Sequence, residues 1–91
     1  ILWSKLAPEA RLSAQQEVLK TLLLASGDGE WVVRYAAIVG MQSLAAALLK
    51  EAEEEETTEL ISEITARYRE IMANDAEEII RTRARYASQQ V

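Results

Sequence analysis

The 91-residue chain is 49% hydrophobic and carries 15 acidic against 10 basic residues, a formal charge of −5. That suits one small domain with a modest core, and it argues against non-specific nucleic-acid binding, which needs a cationic balance. With no Cys and no His, the chain cannot by itself build disulfides, thiolate nucleophiles, zinc or haem sites, or a Ser-His triad.

No charge-free run of about 18 apolar residues occurs, and no signal-like start, so the chain reads as cytosolic without a membrane span. Pro and Gly are scarce and strict apolar–polar alternation is absent, so the periodicities are helical. Ile1, Leu2, Trp3 and Leu6, ahead of Pro8, read as the tail of an earlier helix. Together with a start at Ile rather than Met, they suggest the C-terminal fragment of a longer chain.

A first helix is expected over about 12–25, with Ser13 and Gln16 at capping-box spacing and Val18, Leu19, Leu22 and Leu23 as its apolar stripe. Gly27, Asp28 and Gly29 end it. A second, over about 30–50, is apolar nearly all round and must be sandwiched between neighbours; Gly40 inside it costs roughly 1 kcal/mol of propensity against Ala and points to a close helix approach. An acidic connection over 51–57 leads to a one-sided outer helix over about 58–73, with Leu60, Ile61, Ile64, Tyr68, Ile71 and Met72 at spacings of three and four. A fourth helix, over about 76–90, opens with Asp75 and Glu78 at capping-box spacing and is expected to bury Ile79, Ile80, Ala84 and Ala87.

The second and fourth helices begin alike. Asp28, Glu30, Val32, Val33, Arg34 and Ala37 align with Asp75, Glu77, Ile79, Ile80, Arg81 and Ala84 at a constant offset of 47. This pattern resembles the HEAT-type hairpin, in which an Asp precedes the inner helix, two apolar residues enter the core and an Arg follows. The expected fold is therefore all-α: one HEAT-like α-solenoid domain over 1–91, with repeat 1 at about 12–50 and repeat 2 at about 58–90.

Arg34 and Arg81 stand where such repeats place an Arg that reaches the turn Asp of a neighbouring repeat; the functional alternative is carboxylate binding by the planar guanidinium. Trp31 and Tyr35 lie one helical turn apart, so they either pack between repeats or flank a flat acidic ligand. Arg83 and Arg85 read as solvated, and Tyr68 and Tyr86 as core or rim. Glycine-rich phosphate loops, metal-ligand spacings and paired catalytic carboxylates are absent, so no catalytic residue and no metal site is assigned.

The stretch EWVVRYAAIVG from Glu30 to Gly40, followed by Met41 to Ala45, resembles the HEAT-like bilin lyases of cyanobacteria. The closing stretch IIRTRARYASQQV, from Ile79 to Val91, is similar to the E-type (alpha) subunits that act on α-phycocyanin. The two stretches Glu30 to Gly40 and Ile79 to Val91 together span about a quarter of the chain. The resemblance implies a heterodimer with an F-type subunit, working in the cyanobacterial cytosol alongside phycobilisome assembly. It would bind phycocyanobilin, an open-chain tetrapyrrole, as transferred substrate rather than resident cofactor, and attach it through a thioether to a cysteine of the α-phycocyanin apoprotein. Trp31, Arg34, Tyr35 and Arg81 would then be the bilin-binding residues. The acidic insert from Glu51 to Glu59 departs from the family pattern. The alternative reading is a non-catalytic HEAT-repeat adaptor or scaffold for phycobiliproteins or other proteins.

Overall fold

The computed structural model describes residues 8–50 and 55–91. Four helices follow in order: α1 (Pro8–Ala25), α2 (Trp31–Leu49), α3 (Glu55–Asn74) and α4 (Glu78–Ser88), with no strand among the described residues. They form two antiparallel hairpins, α1–α2 and α3–α4, stacked side by side in a body 40 Å long. The all-helical expectation is met.

Several boundaries differ from those expected. The chain is already helical at Pro8, so Ser13 lies inside α1 with its side chain exposed and caps nothing. Glu55, Glu56 and Thr57 belong to α3 rather than to a connection, because negative charge is favourable at a helix amino end and Thr57 is buried against the core. The apolar cluster at Ile1–Leu6 and the acidic residues 51–54 lie outside the described residues.

Helix α2 packs against all three others, which is why it can be apolar nearly all round. By length and composition alone it is long and apolar enough to cross a membrane; here Ile38, Met41, Leu44 and Leu48 are sealed in the interior. Each fully buried aliphatic side chain of this kind contributes about 1.5–3 kcal/mol by leaving water. Leu19 from α1, Leu60, Ile64, Tyr68 and Ile71 from α3, and Ile80, Ala84 and Ala87 from α4 complete one continuous core. Gly40 marks a close approach of α1 and α2: a Cβ there would lie 2.7 Å from a terminal methyl of Leu22.

The 47-residue offset holds for the turns and inner helices only. The buried positions Gln15, Leu19 and Ser26 recur as Leu60, Ile64 and Ile71, an offset of 45. The second repeat thus has two more residues between matching outer and inner positions, because α3 runs on to Asn74 past Ile71 whereas α1 stops at Ala25, before Ser26, and the shorter second turn (75–77 against 26–30) offsets only part of that extension.

Candidate functional site

The two turns share a local architecture. Asp28 Oδ1 accepts from the Glu30 amide at 2.8 Å, and Asp75 Oδ1 accepts from the Glu77 amide at 2.9 Å. Each carboxylate thus closes a short side-chain turn just ahead of its helix, and the expected capping box between Asp75 and Glu78 does not form, since Glu77 is the N-cap and makes no side-chain cap. Six residues on, the arginine of each repeat reaches back: Arg34 Nη1 donates to the Asp28 carbonyl at 2.9 Å, and Arg81 Nη1 to the Asp75 carbonyl at 2.6 Å.

Between hairpins the turns are joined. Arg34 donates through Nε to Asp75 Oδ2 at 2.8 Å and through Nη2 to Oδ1 at 3.2 Å, a two-pronged ion pair with little solvent access (14% and 7% of each side chain). Burial disfavours the Asp75 carboxylate, but the Glu77 amide, the hydrogen bonds and charge of Arg34, and the charge of Arg81 outweigh it and hold the carboxyl below its ordinary value. The Arg34 guanidinium is therefore engaged in holding the stack. Arg81 gives one bond to its own turn, and among the described residues its other donors find no acceptor.

The aromatic pair faces elsewhere. Trp31, Val32, Tyr35 and Ala36 from α2 and Ile79 from α4 line an almost wholly apolar groove of about 400 Å³ on the inner-helix face. Val32 and Ile79 are equivalent residues of the two repeats, 59% and 50% exposed. Ile79 was expected in the core; only its neighbour Ile80 enters it, because α4 turns Ile80 inward and leaves Ile79 beside Val32. In the first repeat Val32 and Val33 likewise keep much of their surface outside the core.

Arg83, expected in solvent, is half-buried at this face. Its guanidinium lies 5.9 Å from the Tyr35 ring centre and 5.1 Å from that of Tyr86, and Nη2 donates to Gln42 Oε1 at 2.6 Å. Nη1 is enclosed without a hydrogen-bond partner, as is the hydroxyl of Tyr68. Burial pushes the Tyr68 phenol up to about 12, with the positive charge of Arg83 pulling the other way. The spacing of Ile79, Arg83 and Tyr86 at i, i+4 and i+7 placed Arg83 on the Ile79 face, and that was the signal for its position.

A larger hollow of about 750 Å³ lies between the outer helices, where Leu19, Leu23, Leu24 and Leu60 form its floor and Lys20, Arg67, Glu56, Glu59 and Glu63 its rim. Arg67 is tied down there by Glu70 and by the Leu23 carbonyl at 3.0 Å. Among the described residues no group of three or more acidic side chains is placed to hold a metal ion. The inner groove thus combines aromatic surface and an apolar wall, with the Arg83 guanidinium outside the lining, against the Tyr35 ring. It can hold and orient a flat molecule, and it contains no nucleophile.

Across 76 residues the chain is 40% identical to the phycocyanobilin lyase subunit beta of Mastigocladus laminosus, a match that covers 84% of this chain and 62% of that protein. It is 38% identical over 88 residues to the protein of the same name from a Nostoc species, covering 97% of this chain and 39% of the relative. A phycobilisome maturation protein of Synechococcus elongatus matches the whole chain at 33% identity, over 40% of its own length. No family model matches the sequence, and no solved structure does. The chain spans about two fifths to three fifths of the length of these curated relatives. The chain is thus similar to proteins named phycocyanobilin lyase subunits, and the subunit named in them is beta, not the E-type alpha subunit that the closing stretch suggested.

Proposed function

We propose that the chain is part of a bilin lyase subunit of the beta, F-like kind, which pairs with an alpha, E-type subunit to attach phycocyanobilin to a cysteine of a phycobiliprotein such as α-phycocyanin. The opposite assignment, an E-type chain with an F-type partner, rests on the closing stretch alone, whereas the beta name comes with identities near 40% along nearly the whole chain. The observation that carries the reading is the aromatic, apolar groove on the inner-helix face of a chain so related.

In this reading the acceptor sulfur belongs to the phycobiliprotein, and the absence of Cys from this chain fits that division of labour. The sulfur bonds to the ethylidene carbon of the bilin, the S–H bond is lost, and the proton ends on the conjugated system. The lyase gains rate by holding the two reacting atoms in one orientation, a proximity effect. Trp31 and Tyr35 flank the pyrrole rings. Arg34 acts by locking the two hairpins that carry the groove, and Arg81, with donors to spare, is the cation available to a propionate at the turn edge. The work is done in the cyanobacterial cytosol during phycobilisome assembly.

The test combines the chain with an alpha-type or a beta-type partner, phycocyanobilin and apo-α-phycocyanin, and looks for pigment that survives acid denaturation. Covalent colour with the alpha-type partner is the expected result; colour only with the beta-type partner reverses the subunit assignment. The name of the Synechococcus relative favours a second reading, a non-catalytic adaptor in phycobilisome maturation. That reading predicts association with phycobiliprotein and no pigment transfer with either partner.

A further inference from the structure

We propose that Arg83 is the carboxylate-anchoring residue of the inner groove, and that the groove takes a flat conjugated ligand bearing a free carboxylate. This rests on the bilin reading above and assigns a role to a residue outside the four first expected to bind.

Arg34, Arg67 and Arg81 are each matched to an oxygen acceptor of the fold's own turns or acids: Arg34 to Asp75, Arg67 to Glu70 and the Leu23 carbonyl, Arg81 to the Asp75 carbonyl. Arg83 is held only by neutral groups, the Gln42 amide and the faces of Tyr35 and Tyr86, and it makes no ion pair among the described residues. A half-buried cation without a counter-charge bears a desolvation cost that an arriving anion relieves. Its unpartnered Nη1 is the matching donor. Tyr35 belongs both to the groove wall and to the pair of rings around Arg83, so only that ring's neighbourhood separates the guanidinium from a ligand lying on Trp31, Val32 and Ile79. The long side chain lets the planar fork swing toward the groove and exchange the Gln42 amide for a carboxylate, which it grips with two parallel bonds.

The experiment titrates the chain and its Arg83→Gln and Arg83→Lys variants with phycocyanobilin and with phycocyanobilin dimethyl ester, following bilin absorption and induced circular dichroism. Far-ultraviolet dichroism of each variant reports the fold. The unaltered chain is expected to bind the free acid about tenfold to a hundredfold more tightly than the ester. Arg83→Gln lowers that ratio severalfold or more, leaving only the share that Arg81 contributes, while ester affinity holds, and Arg83→Lys, which keeps the charge and loses the fork, falls between. An unchanged ratio in folded Arg83→Gln overturns the proposal and leaves the bilin reading standing. So does a variant that keeps the ratio but loses apo-α-phycocyanin, since the carboxylate would then be a protein side chain. Failure of the unaltered chain, with either partner subunit present, to bind acid or ester overturns both.

Discussion

The turns at Asp28 and Asp75 are written almost identically and fold identically at close range, yet only one is part of the interior. Both aspartates accept from the amide two residues on, and both repeats return an arginine to the aspartate's own carbonyl. Asp28 is exposed, whereas Asp75 is shielded and gripped by Arg34 from the other hairpin. The same contrast runs into the helices that follow, where Val33 is 36% exposed and its equivalent Ile80 is sealed. Sequence at short range sets the turn; stacking of one hairpin on the next decides which copy bears load.

This contrast can be broken most directly at the apolar pair. Ile80→Ala is expected to cost about 2–5 kcal/mol in urea unfolding, by lost burial and the cavity left behind, and Val33→Ala less than about 1 kcal/mol because much of that side chain is already in water. Equal losses would mean the repeats are energetically equivalent despite their different surroundings.

The polar pair should divide in the same direction. Asp75→Ala is expected to cost about 1–3 kcal/mol, between the surface and fully buried cases, and Asp28→Ala about 0.5–1 kcal/mol, the worth of a local amide acceptor. A double-mutant cycle of Arg34→Met and Asp75→Ala sharpens this, since it should show coupling that Arg81→Met with Asp28→Ala lacks.

Acid offers a gentler probe. Because the folded Asp75 carboxyl titrates below its ordinary value, its stabilisation is complete above the unfolded value of about 3.9 and is lost as pH falls through the lower folded one. Asp75→Asn should therefore flatten the pH dependence of the thermal midpoint on the acid side of about pH 4. The smallest effect is expected at Tyr68, whose hydroxyl has no partner: Tyr68→Phe should change stability by less than about 1 kcal/mol while removing the phenol that ionises near 12.

Helix number, the outer and inner roles of the helices, and the close approach at Gly40 were legible in the sequence, because apolar spacing and one misplaced glycine encode them locally. Helix starts were less so: Glu55 and Glu56 read as connection since a charge run and an acidic first turn look alike without coordinates. At the site, the neighbourhood of Trp31 and Tyr35 was readable from their one-turn separation, but the cation beside them was not. Arg34 is closer in sequence, and it turns away to a partner 41 residues distant, while Arg83 arrives from another helix. Local spacing puts Arg83 on the Ile79 face, but which arginine is spent on the fold depends on long-range pairing such as that of Arg34 with Asp75.

The claim most in need of a direct test is that the face bearing Trp31 is where bilin sits. In a Trp3→Phe background, Trp31 is the sole indole, and phycocyanobilin, whose absorption overlaps indole emission, should quench its fluorescence in a saturable manner that follows the induced dichroism of the pigment. Pigment that binds and acquires dichroism while Trp31 emission stays constant would place the bilin elsewhere and contradict the account.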